Sequence, residues 1–121
     1  MNLELAGLMF PEGVLDYFTL TEFKEEGGKI HFYLEEKNIL PSDYSSSQAV
    51  SKGFLNPIVI EDFPLRGKDV LLHIKRRRWT LKETGTIIQR DWTLAAQGIK
   101  MTADFAAFLK GISGYSSSEY F

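Results

Sequence analysis

The sequence predicts an α+β domain, an antiparallel sheet of four to five strands with a short N-terminal helix and a C-terminal helix. Three observations carry this. Alternating apolar residues recur between residues 16 and 92, glycine-bearing turns separate those runs, and helical spacing is confined to the two ends. With 121 residues, 44% hydrophobic and 13% aromatic, the chain has enough apolar surface for one core. The expected domain is 1–113. Residues 114–121 read as a tail linking to an absent downstream region, because the chain stops on the aromatics Tyr120 and Phe121.

Each element has its own signal. Leu5, Leu8 and Met9 fall at i, i+3, i+4 in the opening helix, which Pro11 and Gly13 end. Asp16–Lys24 is rich in aromatics and threonine, and Ile30, Phe32 and Leu34 alternate along Lys29–Glu35. Gly27-Gly28 between them tolerates the positive φ of a hairpin turn. Residues 38–53 read as a loop, since Pro41–Ser47 is polar and turn-forming. Pro57–Phe63 is a third strand, Pro64–Gly67 a turn, Lys68–Trp79 a long fourth strand, Lys82–Gly85 a turn and Thr86–Trp92 a fifth strand. Thr102 and Asp104 then open a helix striped with Phe105, Phe108, Leu109 and Ile112.

Composition narrows the chemistry. There is no cysteine, so disulfides and thiolate zinc sites are excluded. No apolar run approaches a membrane span and no leader pattern opens the chain, so a cytoplasmic protein without membrane contact is expected. His31 and His73 lie on separate strand-like runs with no ligand at metal spacing, which suggests a sheet-surface role. The neighbours Glu35-Glu36 and Glu61-Asp62 point to opposite faces of a strand and make poor acid–base dyads. No serine has a nucleophile-elbow context and Gly27-Gly28 lacks that of a phosphate loop. No enzyme, cofactor or metal is expected.

Charge is the most informative signal. The net charge of −2 hides a split: residues 1–63 hold 11 acids and 4 bases, residues 64–121 hold 5 acids and 10 bases. The centre is Lys75-Arg76-Arg77-Arg78-Trp79, at the end of an apolar strand. Four adjacent cations repel unless a polyanion or local acids offset them. Alternation puts Val70, Leu72, Ile74, Arg76 and Arg78 on one side, with Leu71, His73, Lys75, Arg77 and Trp79 on the other. A ribbon made with residues 86–92 would suit a major groove or straddle phosphates, and arginine forks match phosphate oxygens and guanine edges. Candidate DNA contacts are Lys75, Arg76, Arg77, Arg78 and Trp79, flanked by Arg66, Lys68, Lys82 and Arg90. Trp79 suits a base or sugar, and equally the core or a cation–π contact. The plainer alternative is that these cations neutralise the acidic half within the fold.

The order of motifs resembles the N-terminal region of bacterial insertion-sequence transposases of the IS-Aon type. The resemblance is carried by Phe10–Phe18, His31–Asn38, Ser51–Phe54, Asp62–Lys68 and the basic strand up to Trp79, and it spans about residues 8–112. More distantly, the layout is similar to the zinc-ribbon region of the ISL-three-type transposases. Those carry cysteine pairs where this chain has Pro41–Ser47 and Thr80–Gly85, so it would be a degenerate ribbon, its loops held by packing of Tyr44 and Trp79. The resemblance implies a non-catalytic module that binds transposon terminal repeats, with the catalytic region downstream as a partner. A protein-interaction module, docking on that region or forming a homodimer, is the alternative.

Overall fold

The computed structural model describes residues 3–10 and 13–92, with the side chain of Phe63 left aside. Two short helices, α1 (Leu3–Gly7) and α2 (Val14–Tyr17), precede seven strands: β1 (Phe18–Glu26), β2 (Lys29–Glu36), β3 (Ala49–Phe54), β4 (Ile58–Leu65), β5 (Lys68–Lys75), β6 (Arg77–Leu81) and β7 (Ile87–Gln89). The protein is therefore α+β and mostly sheet. The expected C-terminal helix and tail lie outside the described residues.

The strands form two sheets instead of one. The larger has order β1-β2-β5-β4 and the smaller β3-β6-β7. All pairings are antiparallel except β2 with β5, which run parallel from Lys29↔Asp69 to Glu35↔Lys75. Two tight turns fix the outer registers. Gly27 and Gly28 take φ 63° and 75° between the partners Glu26 and Lys29, and Arg66 and Gly67 take φ 50° and 79° between Leu65 and Lys68. Two consecutive positive φ values match the twist of antiparallel strands.

The long fourth strand is corrected: it breaks at Arg76, and one residue carries the chain from the larger sheet to the smaller. Packing supplies the reason. Val70, Leu72 and Ile74 face the core, and so does Trp79, at 0% exposure. Ile74 and Trp79 differ in parity, so one regular strand cannot bury both. The loop reading of 38–53 is corrected in part, because Ala49–Phe54 is β3, paired to β6 with a bulge at Gly53. Residues 55–57 make a second crossing between sheets, and the Leu55 amide donates to the Arg76 carbonyl at 2.8 Å, tying the two crossings together.

The core lies on one face of the larger sheet: Phe18, Phe32, Leu34, Ile58, Val70, Leu72 and Ile74, joined by Ala6, Val14 and Trp92. Trp92 stacks on Phe18 with centroids 5.1 Å apart, and Phe10 meets Phe32 edge-on at 5.2 Å. The α1 helix is turned opposite to its apolar stripe. Ala6 is buried, while Leu5 and Leu8 are 56% and 80% exposed. Small residues explain the choice, since a Cβ on Gly7 would already stand 3.1 Å from Leu15 Cδ1.

Candidate nucleic-acid interface

Acidic side chains and arginines of the strands are sorted by sheet, although the two halves of the sequence are not. The larger sheet's strands hold eight acids and four lysines. The smaller sheet's strands hold Lys52, Arg77 and Arg78 and no carboxylate. The chain switches sheets inside the cation run, so its members meet different fates.

Arg76, 1% exposed, and Trp79 are inside, which removes both from the exposed candidate set. The Trp79 indole N–H donates to Asn38 Oδ1 at 2.9 Å and so pins the start of the 38–48 loop. That is the packing role the sequence allowed it. Tyr44, the other candidate, is half-buried, and its amide donates to the Pro41 carbonyl at 3.0 Å.

Arg77 and Arg90 clasp the two sheets through Glu36, the last residue of β2, whose side chain is 1% exposed. The Arg77 amide donates to Glu36 Oε1 at 2.9 Å, and Arg77 Nε donates to the Glu36 carbonyl at 3.1 Å. Arg90 Nε donates to Glu36 Oε2 at 3.1 Å, while a terminal Arg90 amine donates to the Ile39 carbonyl. The Arg90 guanidinium also lies 5.1 Å from the Tyr17 ring centre and 5.6 Å from that of Trp92. Burial pushes the Glu36 carboxyl above its ordinary value. The Arg77 amide and the Arg90 guanidinium pull the other way and offset part of the rise. Both arginines serve the fold, as the neutralising alternative expected.

Lys75, from the run itself, pairs with Glu35 at 3.7 Å, and Lys68, from the flanking set, with Glu25, both on the larger sheet. Arg66 occupies the left-handed corner of the β4–β5 turn. Lys82 continues β6, its ammonium donating to the Ser46 carbonyl at 3.0 Å.

Arg78 is different. Its Nε donates to the Lys52 carbonyl at 3.0 Å, which fixes the stem, and neither Nη has a partner among the described residues. It stands opposite Gln89, on the face of β6 that Trp79 does not use. On that outer face Val50, Thr80 and Ile87 form a row across the three strands. Val50 and Ile87 are 52% and 48% exposed. Alternation adds Lys52 from β3 and Lys82 just past β6. Reading the cations as one linear strand missed this surface, because β3 and β7 supply part of it. The signal available was the parity conflict between Ile74 and Trp79.

A second cluster was also missed. The parallel β2–β5 register brings His31 Nδ1 within 2.8 Å of His73 Nε2, and Tyr33 stacks on His73 with centroids 4.5 Å apart. Burial, with His31 beside it, lowers the His73 pKa from its ordinary value. Among the described residues no three His, Cys, Asp or Glu side chains group as metal ligands, and no helix is long and apolar enough to cross a membrane.

No family model, curated protein or solved structure matches this chain.

Proposed function

We propose that the chain is a non-catalytic DNA-binding module of a transposase, engaging the terminal repeats of an insertion sequence through the outer face of the smaller sheet. The transposase part rests on the motif resemblance at Asp62–Lys68 and the basic strand. The DNA part is supported by one observation above others: the strands that project Arg78 and Lys52 outward contain no carboxylate, while the other sheet's strands hold eight, and Glu83 and Asp91 lie just beyond β6 and β7. Such segregation leaves a local positive field despite a net charge of −2. Lys52, Arg78 and Lys82 meet phosphates or base edges, and Arg76, Arg77, Arg90 and Trp79 hold the sheet that presents them.

The test is fluorescence anisotropy on duplexes carrying the element's terminal repeats, across a salt series. Each phosphate contact adds about −0.9 to the log–log slope, so alanine at Lys52, Arg78 and Lys82 should flatten it by about 0.9 for every phosphate no longer neutralised. A wild-type domain that shows no salt-dependent binding to these repeats sinks the reading. Alanine across all of 75–78 is the wrong probe, because it strips Arg76 from the interior and Arg77 from Glu36.

A second reading, docking on a downstream catalytic region or on another copy, is favoured by α1. Leu3 and Leu5 on α1, and Leu8 and Met9 just after it, are all exposed. Leu5→Ser/Leu8→Ser should then change the mass measured by light scattering, or abolish capture of the catalytic region, at unchanged DNA affinity.

A further inference from the structure

We infer that the smaller sheet lies flat in the major groove, with Arg78 as the residue that reads sequence there; this rests on the DNA reading proposed above. Widths decide the groove. Three strands about 4.8 Å apart put the outer axes roughly 10 Å apart, too wide for a minor groove of about 6 Å, so the major groove, about 12 Å wide, is the one left for this face. The chemistry of the face fits base edges better than phosphates alone. A surface built only for phosphates needs cations, whereas this one sets Arg78 beside Gln89 and flanks Thr80 with the exposed methyls of Val50 and Ile87. Arginine paired to the O6 and N7 of guanine is the commonest specific contact, and apolar groups suit the thymine methyl.

The Arg78 fork is also pre-set. Its Nε is held by the Lys52 carbonyl at 3.0 Å, which leaves the two Nη amines to donate as an end-on pair. End-on donation from both amines matches the two acceptors of guanine with a rigid planar pair of donors, which the single ammonium of lysine does not offer. Same-face residues on β6 are about 6.7 Å apart, close to the rise of two base pairs. Arg78 and Thr80 therefore address bases two pairs apart. The Thr80 hydroxyl oxygen is buried, so its share of that contact is apolar. Lys52 and Lys82, on opposite sides of Thr80, reach the phosphates of the groove walls.

The test separates charge from readout. Arg78→Lys keeps the charge and removes the fork. Binding to the terminal repeat and to a scrambled duplex is measured for wild type and variant over a salt series. The expected result is a specificity ratio that falls about 5- to 150-fold at an unchanged salt slope. A parallel measurement replaces each terminal-repeat guanine in turn by 7-deazaguanine, which lacks the N7 acceptor. One substitution should weaken wild type more than Arg78→Lys, and because it also reads the wild-type protein it stands if the variant folds poorly. A ratio unchanged in Arg78→Lys, or wild-type binding that is salt-dependent but indifferent to sequence and to every deaza substitution, overturns the inference and leaves the DNA reading intact. No salt-dependent binding at all removes both.

Discussion

The two sheets divide the work of the molecule. The larger carries nearly the whole apolar core on one face and eight of the strand acids, with α1 and α2 packed against β1. The smaller buries Ala49 and Trp79 on one side and presents cations and half-exposed β-branched residues on the other. Stability concentrates in the first and presentation in the second. What joins them is a few groups at the seam: Arg76, the Leu55 amide, and Glu36 with its two arginines.

The sharpest way to break the comparison is therefore at Glu36. Glu36→Ala leaves the Arg77 amide and Arg90 Nε without their acceptors in a buried site, and should cost about 3–5 kcal/mol, read from urea midpoints. Glu36→Gln should cost far less, because burial already favours the neutral acid and the amide oxygen can still accept from Arg77. The sign with pH follows from the raised pKa. Glu36 contributes its full share of stability below its ordinary value of 4.5, and that share is lost as pH rises through the higher folded value. The Gln variant should lack this dependence.

Trp79→Phe comes next. It keeps most of the ring but loses the hydrogen bond to Asn38 and some volume, for about 1–3 kcal/mol. Amide exchange should speed up first in the 38–48 loop and in β3.

The histidine pair probes the larger sheet alone. A depressed folded pKa means that His73 contributes stability above its ordinary value of 6.5, and that this is lost as pH falls through the lower folded value. Lys24, opposite His31 on β1, and Lys75, two residues beyond His73, share that face. His73→Phe keeps a ring against Tyr33 and should flatten the fall in stability as pH drops below 6.5, as followed by denaturant midpoints. DNA binding, which we propose for the other sheet, should not follow the same titration.

The smallest effect belongs to Thr80. Its Oγ1 is buried with no hydrogen-bond partner, so the isosteric Thr80→Val should be neutral or stabilising by up to about 1 kcal/mol in thermal unfolding.

Local features are legible in the sequence and long-range ones are not. Gly27-Gly28 and Arg66-Gly67 announce their turns because the required φ is a property of a few residues. The core positions Phe32, Leu34, Val70, Leu72 and Ile74 show plainly in the period-2 pattern. The parallel pairing that joins His31 to His73 depends on residues 42 apart and leaves no local trace. β3 is hidden by Ser51, Lys52 and Gly53, which read as loop. Within the candidate site Arg78 is legible as a cation at a strand end, but its companions Lys52, Val50 and Ile87 become visible only when β3 and β7 are laid beside β6.

The most direct test of the division between sheets is a matched pair of triple variants. One neutralises Lys52, Arg78 and Lys82 on the smaller sheet and its rim, the other Lys24, Lys29 and Lys75 on the larger, and each is titrated with terminal-repeat DNA from low to moderate salt. The account requires the first variant to lose most of its affinity and salt slope, and the second to bind like wild type. Equal losses, or a larger loss from the second, would contradict it.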